Sequence, residues 1–201
     1  TNLYNFMDGS DGLAGGMAVF GFSAYGIAAW LAGRADFAAA EFCIAAAAAG
    51  FLAFNFHPAR IFLGDAGSIP LGFLAAGLGL LGWRDGLWPI WFPVLVFSPF
   101  IVDASATLAR RLRRREKIWQ AHREHYYQRL VRMGWGHRNT ALAEYAVMIA
   151  AGASALWGSA QSGLIQLGLC AGWAMVYAML AILVDRHWAQ HQSSQSNSCH
   201  T

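Results

Sequence analysis

Apolar residues in this chain come in six blocks, 13–31, 37–56, 69–83, 87–108, 141–157 and 164–184, separated by short polar connections. The blocks lie near the roughly 20 residues that an α-helix needs to cross a bilayer, and a water-soluble core would break them up with polar faces. The pattern predicts an all-α fold, a polytopic transmembrane helix bundle. The block 69–83 is short, roughly 22 Å at 1.5 Å per residue, so it must thin the bilayer, recruit flanking residues or sit against its neighbours. The block 87–108 holds Pro89, Pro93 and Pro99 and is predicted to kink. No internal repeat is visible, so residues 1–188 read as one membrane domain and 189–201 as a disordered polar tail.

Composition agrees with the pattern: 57% of the residues are hydrophobic and 12% charged, against about 45–50% and about 25% in a soluble domain. Charge then gives the chain an orientation. Alternating the six spans puts residues 1–12, 57–68, 109–140 and 185–201 on one side, with 12 of the 14 Lys and Arg residues; the other side has only Arg34 and Arg84. Cytoplasmic loops carry that excess, so the first set is cytoplasmic. All seven histidines fall there, as do Asp8, Asp11 and Asp65, and outer loops of a few residues leave little room for an external site. Cys43 and Cys170 lie inside spans and Cys199 in the tail, which predicts no disulfide framework. A motif begins directly after Thr1, with no signal peptide, and the chain is expected to be the C-terminal portion of a longer protein.

Three polar stretches on that side carry the candidate chemistry. In Asn5-Phe6-Met7-Asp8-Gly9-Ser10-Asp11-Gly12 the two acids are spaced i,i+3, and on a helix they would share a face. They either hold a cation and orient polar substrate groups, or Asp8 or Ser10 caps the first span with Asp11 in its first turn. In Asn55-Phe56-His57-Pro58-Ala59-Arg60-Ile61-Phe62-Leu63-Gly64-Asp65-Ala66-Gly67-Ser68, Asp65 lies between glycines that let backbone approach a ligand. Ser68 and Pro70 mark a helix start whose free N–H groups favour phosphate. An acid for a metal beside amides for phosphate suits a diphosphate, since Mg²⁺ takes one or two carboxylates and completes its shell from phosphate and water; the plain alternative is a Gly-rich turn. In the third stretch, 120–132, His122, Tyr126 and Arg129 fall at i, i+4, i+7, and His125 and Arg129 at i, i+4. No CxxC or HExxH partner supports zinc. The run 110–115 reads as a positive-inside signal for anionic lipid. Asp103, an acid within a span, either serves function or pairs with Arg110 or a neighbouring arginine. Trp30, Trp83, Trp88, Trp91, Trp157 and Trp188 lie near span ends as an interfacial belt would.

At these residues the sequence resembles the polyprenyl-phosphate N-acetylhexosamine-1-phosphate transferases, the family that includes phospho-N-acetylmuramoyl-pentapeptide transferase. Residues 5–14 look like its Asn-x-x-Asp-Gly-x-Asp-Gly-Leu loop, 62–68 like its Gly-Asp-x-Gly-Ser loop, and 125–130 like its His-x-His-His-Arg-Leu loop, with Tyr127 and Gln128 where many members have further histidines. The extended third motif looks closest to the branch that initiates O-antigen or related surface polysaccharides. The resemblance implies about six spans present of about ten, in a bacterial inner membrane with a cytoplasmic active site. It further implies transfer of an N-acetylhexosamine 1-phosphate from a UDP-sugar such as UDP-GlcNAc to undecaprenyl phosphate with release of UMP. Asp8, Asp11, Asp65 and His125 would be the catalytic set, and Asp65 the principal ligand of Mg²⁺, with Mn²⁺ as a substitute. Asn5, Asp8, Asp11 and Asn55 would line the nucleotide-sugar pocket, Phe62 would stack on uracil, and Arg123, Arg129 and His125, helped by His122, would face the diphosphate or sugar. The family's aspartate pair near a lysine lies on an earlier loop and has no counterpart here. Expected partners are the two substrates and the lipid bilayer, with no nucleic acid and a homodimer left open. The rival readings are a transporter, against which the clustering of motifs at one surface weighs, and an inactive truncated fragment.

Overall fold

The computed structural model describes residues 2–116 and 124–198, with side chains to 194. His122 and Arg123 lie outside the described residues. Among those described, every regular element is helical: α1 (Asn2–Phe6), α2 (Leu13–Leu31), α3 (Ala35–Asn55), α4 (Gly64–Arg84), α5 (Trp91–Val96), α6 (Ser98–Arg113), α7 (Tyr126–Leu130), α8 (Gly136–Ser159) and α9 (Gly163–Ser198). Helices α2, α3, α4, α8 and α9 are each long and apolar enough to cross a membrane, as a multi-pass membrane protein requires.

The chain runs back and forth between two ends. At the far end α2 and α4 close the same way. Gly33 and Gly86 adopt positive φ, 78° and 75°, and the following N–H groups return to the last helical carbonyls, Arg34 N to Ala29 O and Leu87 N to Gly82 O. Only glycine takes that conformation at little cost. Arg34 approaches Asp85 at 3.8 Å across these two loops, and Trp91 Nε1 donates to Gln166 Oε1 at 2.9 Å. The loops assigned to the poorly charged side thus do share one end, and the three polar motifs share the other.

One expectation changes. The fourth block is not a kinked helix but two helices, broken at Phe97. Pro99 has no N–H for the carbonyl of Leu95, which accepts instead from Ser98 Oγ at 2.6 Å. Neither piece reaches the length of a span, yet together they run from one end of the bundle to the other. Trp88 donates to Gly79 O near the far end of α4, and Phe100 packs on Tyr4 of α1, ring centroids 5.1 Å apart, at the near end. The third block recruits flanking residues, one of the three ways its shortness could be met. Its helix begins at Gly64 and has 21 residues, because Pro70 sits in the second turn and leaves unmatched only the carbonyl of the exposed Ala66. Helix α9 runs through Ser198. Its polar end holds Ala and Gln and has neither Gly nor Pro to stop a helix already nucleated in the membrane.

Trp88 is also misplaced in the interfacial belt. It is 4% exposed, whereas Trp30 and Trp157 are 64% and 56% exposed. Its ring stacks on Tyr25 at 5.0 Å and Phe92 at 5.2 Å, and it lies against Gly82, where any Cβ would meet it at 2.1 Å.

Beside this aromatic core, Glu41 of α3 is 0% exposed and neither carboxylate oxygen finds a hydrogen bond among the described residues. A buried polar group without a partner costs stability. Glu41→Leu is therefore expected to raise the thermal midpoint of the detergent-solubilised protein by about 4 °C. A lower midpoint would show that Glu41 has a stabilising partner.

Candidate active site

Four segments meet at the near end of the bundle. The first is the loop 7–12. Asp8 and Asp11 are not on a helix: α2 starts at Leu13, and no side chain caps it, so neither the shared helical face nor the N-cap expectation describes them. Each acid instead reaches across to the second motif. Asp8 Oδ2 accepts from Gly64 N at 3.0 Å. Asp11 Oδ2 accepts from His57 Nδ1 at 2.7 Å and Ala59 N at 3.2 Å.

The second segment, 55–68, is tied to the first by polar side chains. Asn55, 4% exposed, accepts from Gly12 N at 3.0 Å and donates to Ile61 O at 2.8 Å. Ser68 donates to Asn5 Oδ1. Asn5 and Asn55 thus shape the two loops from within. Phe62 is 74% exposed, and its ring is free to receive a planar partner. Asp65 lies in the first turn of α4, where the helix dipole favours a negative group; its exposed carboxylate has no hydrogen-bond donor among the described residues.

The third segment is 124–130. His125 is 2% exposed, stacks on Phe6 at 6.1 Å and Tyr127 at 5.8 Å, and sits 3.2 Å from Asp103 through Nδ1. Tyr127 donates to Phe6 O at 3.2 Å, and Gln128 completes a capping box with His125. Tyr127 thus fastens the third motif to the first. Arg129 is 5% exposed and is committed to Asp185 at 2.7 Å and Glu124 O at 3.0 Å. Its guanidinium braces α7 against α9.

Asp103 is where the open alternatives resolve. Among the described residues it pairs with no arginine. It accepts from Tyr126 N at 2.9 Å, Tyr127 N at 3.1 Å, Thr107 Oγ1 at 3.2 Å and His125, so one carboxylate anchors the start of α7. Arg110 goes to Tyr126 and Asp185 instead. The fourth segment, the start of α8, was not read from the sequence at all. His137 Nδ1 lies 2.8 Å from Ser10 Oγ, and its ring stacks on His57 at 5.9 Å. Tyr145 donates to Gly12 O at 2.7 Å. Pairs separated by 46, 127 and 133 residues leave no local signal.

The two acids of the first loop are pushed in opposite directions. Burial raises Asp8 to about 6 despite the Gly64 hydrogen bond, and the charge of Asp65 adds to the rise. Burial alone would raise Asp11 as well, but the hydrogen bonds from His57 and Ala59 N–H and the neighbouring His137 outweigh it, and the net effect is a lowered value. Environments that separate paired acids in this way are typical of sites doing chemistry. For Asp8 the sign is that of an ionised form penalised by folding. Between pH 4 and about 6 the unfolded chain ionises first, so the metal-free protein loses stability as pH rises through that window. Thermal midpoints across it should fall with rising pH, and Asp8→Asn should flatten the fall; an unchanged slope in the variant would contradict this environment for Asp8.

Asp8 and Asp65 are the carboxylates whose charges converge. No cluster of three or more His, Cys, Asp and Glu side chains able to hold a metal occurs among the described residues. The donor set therefore fits a hard cation that takes one or two carboxylates and fills its shell with phosphate oxygens and water, not a closed structural site.

The profile of glycosyl transferase family 4 matches residues 1–82, the stretch that supplies both loops and α4, and relatives of that family align over 73% of the chain. The chain belongs to this family. It is 35% identical over 149 residues to the probable undecaprenyl-phosphate N-acetylglucosaminyl 1-phosphate transferase of Bacillus subtilis (strain 168), covering 73% of this chain and 42% of that protein. It is 35% identical over 149 residues to the phospho-N-acetylmuramoyl-pentapeptide-transferase of Geobacillus kaustophilus (strain HTA426), 73% of this chain and 44% of that one. It is 46% identical over 83 residues to the enzyme of the same name in Geobacillus thermodenitrificans (strain NG80-2), 40% and 25%. The chain spans less than half the length of these relatives.

Proposed function

We propose that the protein to which this chain belongs transfers an N-acetylhexosamine 1-phosphate, taken as GlcNAc 1-phosphate, from its UDP-sugar to undecaprenyl phosphate. The observation that carries this reading is the convergence of Asp8 and Asp65, from two family loops, at the charged end of the bundle beside an exposed Phe62. An oxygen of the lipid phosphate attacks the sugar-proximal phosphorus, a new P–O bond forms, the bond to the UMP oxygen breaks, and UMP leaves. Both reactants are anionic, so the barrier is largely electrostatic. Mg²⁺ held by Asp65, with Asp8 alongside, would neutralise charge on the diphosphate; Mn²⁺ would serve in its place. Phe62 offers a face for uracil. Asp11, Asn5 and Asn55 keep the nucleotide-side loops in register, and Asp103 and His125 hold the third motif against Phe6, so that the substrate meets a preformed site.

The 12 of 14 basic residues expected at the site's end of the bundle support a cytoplasmic site in the inner membrane. The extended third motif, residues 121–130, supports the branch that begins O-antigen or a related envelope polysaccharide. The test is a screen of UDP-N-acetylhexosamines with undecaprenyl phosphate and Mg²⁺ on the full-length protein. UMP release from UDP-GlcNAc that needs both lipid phosphate and Mg²⁺ is expected; substrate flux across vesicles without UMP release would overturn the reading.

A further inference from the structure

Two imidazoles at the site's end of the bundle have no part in the proposed transfer, His57 of the second loop and His137 at the start of α8. His57 donates Nδ1–H to Asp11 at 2.7 Å, and His137 Nδ1 lies 2.8 Å from Ser10 Oγ. Ser10 and Asp11 are consecutive residues of one turn, closed by Leu13 N on Ser10 O at 3.2 Å. Both rings therefore direct the same edge at the same turn. The rings lie nearly parallel, with 17° between their planes and 5.9 Å between centroids, so the two Nε2 edges face away from that turn side by side.

The loops do not need His57 to stay joined. Four other hydrogen bonds connect them, from Gly64 N to Asp8, Ala59 N to Asp11, Gly12 N to Asn55 and Ser68 to Asn5. The His57 side chain is 41% exposed, whereas Asp11 is 17% exposed. A mostly buried carboxylate thus holds an accessible ring in one orientation and leaves its second nitrogen to a visitor. Because Nδ1–H is committed to Asp11, Nε2 donates only from an imidazolium, whose charge the carboxylate balances. Among the described residues, Asp11 of the first loop and His137 of α8 are the titratable groups against His57. Two protonated rings at this spacing, with one carboxylate, leave a positive surplus. The partner that fits is an anion with several acceptor oxygens. Charge-assisted N–H···O bonds of about 2.7–2.9 Å reach one phosphate group from rings so placed. A ribose hydroxyl or a uracil carbonyl is neutral and gains little from the second charge.

His57 stands in the same loop as Phe62 and Asp65, the proposed uracil face and the proposed cation ligand, which puts it on the nucleotide's side. Resting on that reading of the function, we propose that His57, oriented by Asp11, and His137, oriented by Ser10, bind the phosphate of the uridine nucleotide and hold UMP as it leaves.

The experiment is calorimetric titration of the full-length protein with UMP, with uridine measured by displacement of UMP. Above neutrality the UMP phosphate is already a dianion, its second pKa being about 6. UMP is therefore expected to bind the unmutated protein more weakly as pH rises from neutral, because the rings lose the protons their Nε2 bonds need, and uridine to show no such trend. His57→Ala should weaken UMP about tenfold, leave uridine unchanged and flatten the pH trend. His57→Gln, whose amide still donates to Asp11 but carries no charge, should show the same selective loss, and His137→Ala a smaller one. The pH trend is read on the unmutated protein, so the result does not depend on the variants folding. Equal losses for UMP and uridine would make His57 a brace or a ribose contact and overturn the proposal, as would unchanged UMP affinity in both His57 variants or a pH trend shared by uridine. Each of these would leave the proposed function standing. An unmutated protein that binds no UMP would overturn that function and this role together.

Discussion

Asp65→Asn in the full-length protein is expected to lower kcat by about a thousandfold or more while leaving the thermal midpoint within about 2 °C of the parent. Both halves of that expectation come from the same observation. Asp65 is exposed in the first turn of α4, and no donor among the described residues bonds its carboxylate, so the fold gains almost nothing from it. Its charge nevertheless raises the neighbouring Asp8. A carboxylate that does nothing for folding and burdens its neighbour is best explained by a positively charged visitor. Asp8→Asn should also cut kcat, but there Gly64 N–H exchanges a charged acceptor for a neutral amide oxygen, and some loosening of the two loops accompanies the loss. An Asp65→Asn enzyme that turns over within tenfold of the parent at saturating Mg²⁺ would remove this residue from the chemistry.

The second large effect belongs to Asp103, which never touches a substrate in this account. Asp103→Ala leaves two helix N–H groups, a threonine hydroxyl and a buried imidazole without their acceptor. Removing one partner of a buried charged network costs about 3–5 kcal/mol, and the thermal midpoint should drop by about 10 °C. Activity should fall with it, because the start of α7 holds Tyr127 on Phe6, two residues from Asp8. Asp103→Asn keeps one acceptor oxygen and should recover part of both. Arg110→Ala is the informative control. If Asp103 were an ion-pair partner of Arg110, the two variants would behave alike; the structure sends Arg110 to Tyr126 and Asp185, so Arg110→Ala should leave the His125 environment intact.

How much of this was legible beforehand follows from the range of the forces involved. Membrane spans are written locally as unbroken apolar length, so they could be read directly. The two glycine-rich loops could be picked out too, and the structure brings them together through Asp8 and Asp11. Tertiary contacts could not. His57 and His137 gave no sign of meeting Asp11 and Ser10, since each pair is brought together only by helix packing. The contact of Arg129 with Asp185, 56 residues on, had no local signal either, because a cation on a short helix does not announce its partner. Trp88 followed the same logic: an indole near the end of an apolar block suits a membrane interface, and only the small residues Gly79 and Gly82 across from it reveal a buried slot. Glu41 passed without notice inside an alanine-rich span, though a lone acid there was itself a signal.

Divalent-cation binding tests the central arrangement most directly. Mn²⁺ titrated into the full-length protein and followed by electron paramagnetic resonance should show one ion per chain that Mg²⁺ displaces, with binding lost in Asp65→Asn and weakened in Asp8→Asn. Undiminished Mn²⁺ binding in both variants would mean that these two carboxylates, although close together, are not where the cation sits.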